Sequence, residues 1–144
     1  MQDLFTTHLV QEFPPVKPLV FVVDSDHTVA AGCAKLLTWY GFKASAYLPF
    51  EALDAAHSAA PDLLITDAVM PGISGLDLAT RMQDICPACK VVLVAFPGMM
   101  DHIVSTTREA GRVGFECLTR PVVCGELVYL AQRMLEPRIP RELN

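Results

Sequence analysis

Apolar positions along the chain fall into two rhythms that alternate. Leu19-Val-Phe-Val-Val23 is a continuous apolar, β-branched run ending in Asp24, the pattern of a strand buried on both faces of a parallel sheet. From Val29 the apolar positions 29, 33, 36, 37 and 40 form the stripe of an amphipathic helix, with Ser25 or Asp26 as its N-cap and Gly41 as its stop. The alternation then repeats: a strand near 43–47, a helix entered at Pro49, a strand over Leu63-Leu-Ile-Thr66, and a helix capped at Ser74 with a stripe at Leu78, Met82 and Ile85. Val91–Ala95 is the fourth strand, 101–111 a helix too rich in Ile, Val and Thr to be strong alone, and Phe115–Thr119 the fifth strand. Cys124, Leu127, Val128, Ala131, Met134 and Leu135 give the last helix, which Pro137 ends. Trp39 and Tyr40 close the first helix as core or its rim.

Five strands alternating with five helices through right-handed crossovers make an α/β protein with a doubly wound parallel sheet. The expected architecture is the flavodoxin-like five-stranded order 2-1-3-4-5. Its ligand crevice lies beyond the carboxyl ends of strands one and three. Three segments are expected: an N-terminal tail or arm over 1–18, carrying Pro14, Pro15 and Pro18, a folded domain over 19–136, and a C-terminal tail over 137–144.

Composition narrows the function classes. In 144 residues, 52% are hydrophobic and 19% charged, which excludes disorder and gives one domain a real core. The net charge of −5, with no Lys/Arg run, argues against direct contact with nucleic acid. No apolar run approaches the roughly 18 residues of a membrane span and no signal segment opens the chain, so the expected place is the cytoplasm, without membrane contact. Five cysteines in such a chain read as free thiols. Cys86-Pro-Ala-Cys89 is a CxxC without a second half, incidental in preference to redox-active or zinc-binding. His8, His27, His57 and His102 are scattered and form no ligand set, and Gly72 and Gly75 read as turn geometry.

Strand one ends in Asp24-Ser25-Asp26 and strand three in Asp67, neighbours in the expected order. Packed carboxylates stay ionised beside a hard oxygen-loving cation or a fixed protein cation, and strand five supplies the latter in Arg120. With these residues in view, Pro61-Asp-Leu-Leu-Ile-Thr-Asp67-Ala-Val-Met-Pro71-Gly-Ile-Ser-Gly75-Leu-Asp-Leu closely resembles the phosphoacceptor segment of two-component response-regulator receiver domains. The resemblance runs from about Leu19 to Leu135, and Leu118-Thr-Arg120-Pro121 falls in family order.

The resemblance implies that Asp67 is phosphorylated by a histidine kinase or phosphotransfer protein. It implies Mg2+ on the strand-one acids, Asp67 and the backbone carbonyl of Val69, and a phosphate-side cation at Arg120. Ser25 stands where the family has a second acid, with Asp26 as a substitute ligand or an N-cap. Val94 stands in place of the family's hydroxyl residue, Arg120 in place of its lysine, and Cys117 in place of its switching aromatic. Val69 and Phe96 flank the site as apolar screens against water. Two readings follow: a phosphorylated module that signals by protein contact, and a pseudo-receiver that only docks. The intact acceptor segment favours the first. Implied partners also include a downstream protein effector, or an effector domain in a longer chain, and a second copy as a homodimer. A turnover enzyme is not expected. Asp24-Ser-Asp26-His-Thr28-Val also looks like the first motif of haloacid-dehalogenase phosphatases, but the later hydroxyl and acidic groups of that family have no counterpart around Val94.

Overall fold

Successive side chains of a strand point to opposite faces of its sheet, so a run that is apolar throughout needs cover on both sides. A computed structural model of the protein, which describes residues 16–109, 111 and 114–135, provides that cover. Its five strands are β1 (Leu19–Val23), β2 (Lys43–Ala46), β3 (Leu63–Asp67), β4 (Lys90–Ala95) and β5 (Phe115–Thr119). They form one parallel sheet in the order β2-β1-β3-β4-β5. The helices are α1 (His27–Trp39), α2 (Pro49–Ser58), α3 (Gly75–Ile85), α4 (Met100–Glu109), which follows a 3-10 turn at Pro97–Met99, and α5 (Cys124–Met134). The expected doubly wound, flavodoxin-like architecture is thus present. Of the two expected tails, 1–15 and 137–144 lie outside the described residues, as does residue 110 at the expected end of the fourth helix.

The two faces build separate cores. Phe21, Val23, Leu64, Val91 and Leu93 pack with Ala52 and Ala56 of α2 and Leu78, Ala79 and Met82 of α3. Val20, Val22, Leu63, Ile65, Val92 and Val94 pack with Ala30, Ala34 and Leu37 of α1 and Leu127, Leu130 and Ala131 of α5. Helix ends follow local chemistry: Asp26 caps α1 by accepting from the Thr28 N–H, and Ser74 caps α3 by accepting from the Asp77 N–H. At α2 the Glu51 carboxylate accepts from the Leu48 N–H at 2.9 Å.

Two expectations change. The line of α1 that meets the sheet is Ala30, Ala34 and Leu37, one residue round from the predicted stripe. Small residues let the helix lie close to the strands, and Val29, Cys33, Leu36 and Tyr40 fall on the flank that looks toward α5. Trp39 is not core: it is 85% exposed, with Tyr40 beside it 52% exposed. In α5, Leu130 is buried although it lies outside the predicted stripe, and Cys124, which the stripe included, is exposed at the first turn.

Candidate phosphoacceptor site

The carboxyl ends of β1, β3 and β5 deliver three charged side chains to one crevice. Asp24 follows β1, Asp67 ends β3, and Arg120 follows β5, held by its N–H to the Ala95 carbonyl at 2.8 Å. Three strand spacings, about 14 Å, separate β5 from β1. Arg120 reaches across the end of β4, where its guanidinium Nη2 meets Asp24 Oδ2 at 2.8 Å and Asp67 Oδ2 at 3.0 Å. One cation therefore ties both carboxylates. Burial alone would lower the guanidinium pKa, but the hydrogen bond to Asp24 and the charges of Asp67 and Asp24 outweigh it and hold it above its ordinary value.

Asp67 is only 7% exposed and each of its oxygens is placed. Oδ2 accepts from Arg120 and from the Ser25 hydroxyl at 3.1 Å; Oδ1 accepts a single long bond, 3.4 Å, from the Val69 N–H. Asp24 Oδ1 accepts from the Asp26 N–H at 2.9 Å, which fixes the turn out of β1. Ser25 thus enters the site as a donor to Asp67, and the Asp26 side chain is spent on the α1 cap at 2.9 Å from the Thr28 N–H. The Asp26 cap is one the sequence offered, whereas the Ser25 donation to Asp67 was not readable there, because it depends on the turn after β1.

Around this polar centre the surroundings are apolar. Val94 is buried directly across from Asp67 in the β3/β4 register, and its carbonyl accepts from the Ala68 N–H at 2.8 Å. Its side chain joins Ile65, Leu127, Cys33 and Cys124 in lining a cavity of about 450 Å3 that ends at Asp24, Asp67 and Arg120. Cys117 is half-buried against the α2/α3 core, and burial pushes its thiol pKa up. Val69 and Phe96, the apolar residues expected to flank the site, are both half-exposed, 51% and 58%, while Asp67 is nearly buried.

Gly75 has a role that sequence reasoning missed. A Cβ there would lie 2.1 Å from the Asp67 carbonyl oxygen, so its lack of a side chain sets how closely α3 approaches the acceptor strand. Gly72 does serve the turn, at φ +86°. Cys86 and Cys89 are both buried, and burial with the neighbouring Cys86 thiol pushes Cys89 up to about 12.

Mg2+ binds oxygen ligands through one or two carboxylates and completes its shell with waters and phosphate oxygens. Asp24 and Asp67, close enough to share one guanidinium, supply such a pair, so the donor set fits. A cage made wholly of side chains is not available: among the described residues no group of three or more His, Cys, Asp or Glu converges.

Comparison with known proteins agrees with this geometry. The response regulator receiver domain family matches residues 20–130. The DNA-binding transcriptional regulator NtrC of Escherichia coli K12 is 28% identical over 131 residues, 88% of this chain and 27% of that protein. The transcriptional regulatory protein PrrA of Mycobacterium tuberculosis is 34% identical over 125 residues, 84% of this chain and 51% of that protein. The chain thus spans about half or less of the length of these curated relatives. Among solved structures, the receiver domain of NtrX from Brucella abortus superposes with a TM-score of 0.70 at 26% identity, over 83% of this chain and 99% of that one. A receiver domain protein from Clostridium thermocellum gives 0.71 at 24% identity over 82% and 94%, which speaks to the fold.

Proposed function

The chain belongs to the response regulator receiver domain family, and on that footing we propose that Asp67 accepts a phosphoryl group from a histidine kinase or phosphotransfer protein. The single observation that carries the reading is the asymmetric setting of the Asp67 carboxylate. Oδ2 is held by Arg120 and Ser25, whereas Oδ1 has only the long contact from Val69 and is the free nucleophile. In the transfer, Oδ1 forms the new bond to phosphorus as the bond from phosphorus to the donor histidine nitrogen breaks, and the imidazole leaves with that electron pair.

Arg120 lies where negative charge gathers on the transferring group, and its planar guanidinium offers donors to a phosphoryl oxygen while still holding a carboxylate. Receiver domains typically bind Mg2+; here Asp24, Asp67 and the Val69 carbonyl would hold it, and when bound it supplies neutralising charge to the phosphoryl oxygens. Output then passes by protein contact, to a separate effector or to an effector domain in a longer chain, in the cytoplasm. With Val94 in the place of a hydroxyl and Cys117 in the place of an aromatic, the signal leaves by another route through α4, β5 and α5.

The test is intact-protein mass spectrometry after incubation with acetyl phosphate and Mg2+, beside Asp67→Asn. A gain of one phosphoryl group by the wild type alone supports the proposal. No gain by a folded wild type, from either acetyl phosphate or its cognate kinase, would overturn it in favour of a phosphorylation-independent docking domain.

A further inference from the structure

Two thiols that the proposed phosphoryl transfer does not use face the same space. Cys33, midway along α1, and Cys124, the first residue of α5, both line the cavity of about 450 Å3 that ends at Asp24, Asp67 and Arg120. The two helices lie side by side here, with Cα atoms of one within 8 Å of the other. A charge on Cys124 is felt at Cys33: after burial, it is the strongest influence raising the Cys33 thiol. Such an influence needs the two sulfurs close together. The other cysteines lie elsewhere, since Cys86, Cys89 and Cys117 pack on the opposite face of the sheet.

A disulfide needs Cα atoms about 4.4–6.8 Å apart, and the surroundings leave room for that approach. Val123 gives α5 no side-chain cap, so the turn that carries Cys124 is not anchored by a cap bond. Gly32, beside Cys33, lines the cavity with open space around it. We propose that Cys33 and Cys124 form a reversible disulfide that ties α1 to the start of α5 across this cavity, with a low-molecular-weight disulfide such as oxidised glutathione as the oxidant. Cys124 is exposed and meets the oxidant first. Its thiolate attacks one sulfur of the small disulfide, whose S–S bond breaks and whose other half leaves as a thiolate. Half-buried Cys33 then loses its proton to solvent, attacks the Cys124 sulfur and expels the second half. Two protein thiols are thereby oxidised and one small disulfide is reduced to two thiols. Because α5 starts four residues after Arg120, the bridge restrains the route by which the signal leaves the site; that consequence rests on the proposed function, whereas the bond does not.

Oxidised glutathione added to the full, unphosphorylated chain tests this, with remaining thiols blocked by iodoacetamide and peptides mapped by mass spectrometry before and after dithiothreitol. The expected product has lost two hydrogens and carries a reducible link between the peptides that hold Cys33 and Cys124. Cys33→Ser should strand the intermediate and raise glutathione on Cys124 roughly tenfold over wild type, because no neighbouring thiol displaces it. Glutathione on wild-type Cys124 at the level of Cys33→Ser would overturn the proposal. So would a link from Cys124 to a second chain, a link between other cysteines in place of this one, or no change at any thiol. None of these outcomes depends on phosphoryl transfer, so they are separate from a failure of acetyl phosphate to modify Asp67.

Discussion

At the scale of single residues, the site depends on one guanidinium answering two carboxylates. Arg120 is partly buried and both of its acid partners are more so, which limits how far water can replace it. Removing the cation leaves two buried like charges with only the Ser25 hydroxyl and the Asp26 and Val69 N–H groups to answer them. Arg120→Gln is expected to cost about 1–3 kcal/mol at neutral pH, measured by urea unfolding. Arg120→Lys should recover only part of that, because a compact ammonium lacks the planar fork that reaches Asp24 and Asp67 together. Equal stability of Arg120→Gln and wild type would show that the bridge contributes nothing to the fold. The charge inventory of this site was readable in the sequence; its wiring was not. Asp67, Asp24 and Arg120 could be singled out as strand-end residues and Asp26 as a candidate helix cap, whereas the Ser25 donation to Asp67 depends on how the chain turns after β1.

At the scale of elements, the acceptor strand and the helix that follows it are coupled through Gly75. The Gly75 N–H donates to the Ala68 carbonyl at 2.9 Å, and the missing Cβ is what allows the approach to Asp67. Gly75→Ala is therefore expected to destabilise by about 3 kcal/mol or more, since the atom it meets is rigid backbone and not a side chain that can turn away. Gly72→Ala, with open space around it but φ of +86°, should cost only about 1 kcal/mol. Thermal or urea unfolding of the two variants distinguishes them, and similar losses would refute the close-packing role. Read as a sequence, both glycines look like turn residues. Spacing along a chain carries no information on how near another strand's carbonyl will come. The first helix teaches the same point from the other side: its apolar letters at 29, 33, 36, 37 and 40 gave the right element with Leu37 on the core, but the line nearest the sheet is completed by Ala30 and Ala34, with Cys33 and Leu36 on its flank.

At the scale of the whole molecule, stability should carry the mark of a buried thiol. Cys89 is held at about 12 in the folded protein against 9.0 for an ordinary thiol, chiefly by burial. The folded state therefore keeps a proton that the unfolded chain releases above pH 9. That contribution is fully present below pH 9 and is lost as pH rises toward 12, at up to about 1.4 kcal/mol per pH unit. Denaturant unfolding at pH 8, 9.5 and 10.5 should show this decline, and Cys89→Ala should make it shallower, with the remaining slope due to Cys33, Cys86 and Cys117, whose thiols burial also raises; an unchanged slope in the variant would place the loss on other groups. In the same protein, iodoacetamide should label exposed Cys124 well before Cys86 or Cys89.

Residue types along the chain were enough to place the alternation of strands and helices, the doubly wound class, the acceptor segment around Asp67 and the ends at which charged residues collect. The elements follow from short-range periodicity and from the two-sided burial that an apolar strand demands, and the acceptor segment from its resemblance to receiver domains. The folded chain alone settles that Arg120 spans β4 to hold two acids, that Gly75 admits α3 against β3, and that a cavity between α1 and α5 leads to Asp24, Asp67 and Arg120. Each is a meeting of atoms brought together by strand order and helix placement from distant parts of the chain, and its outcome turns on differences of an ångström in approach, which the pattern of residue types does not encode.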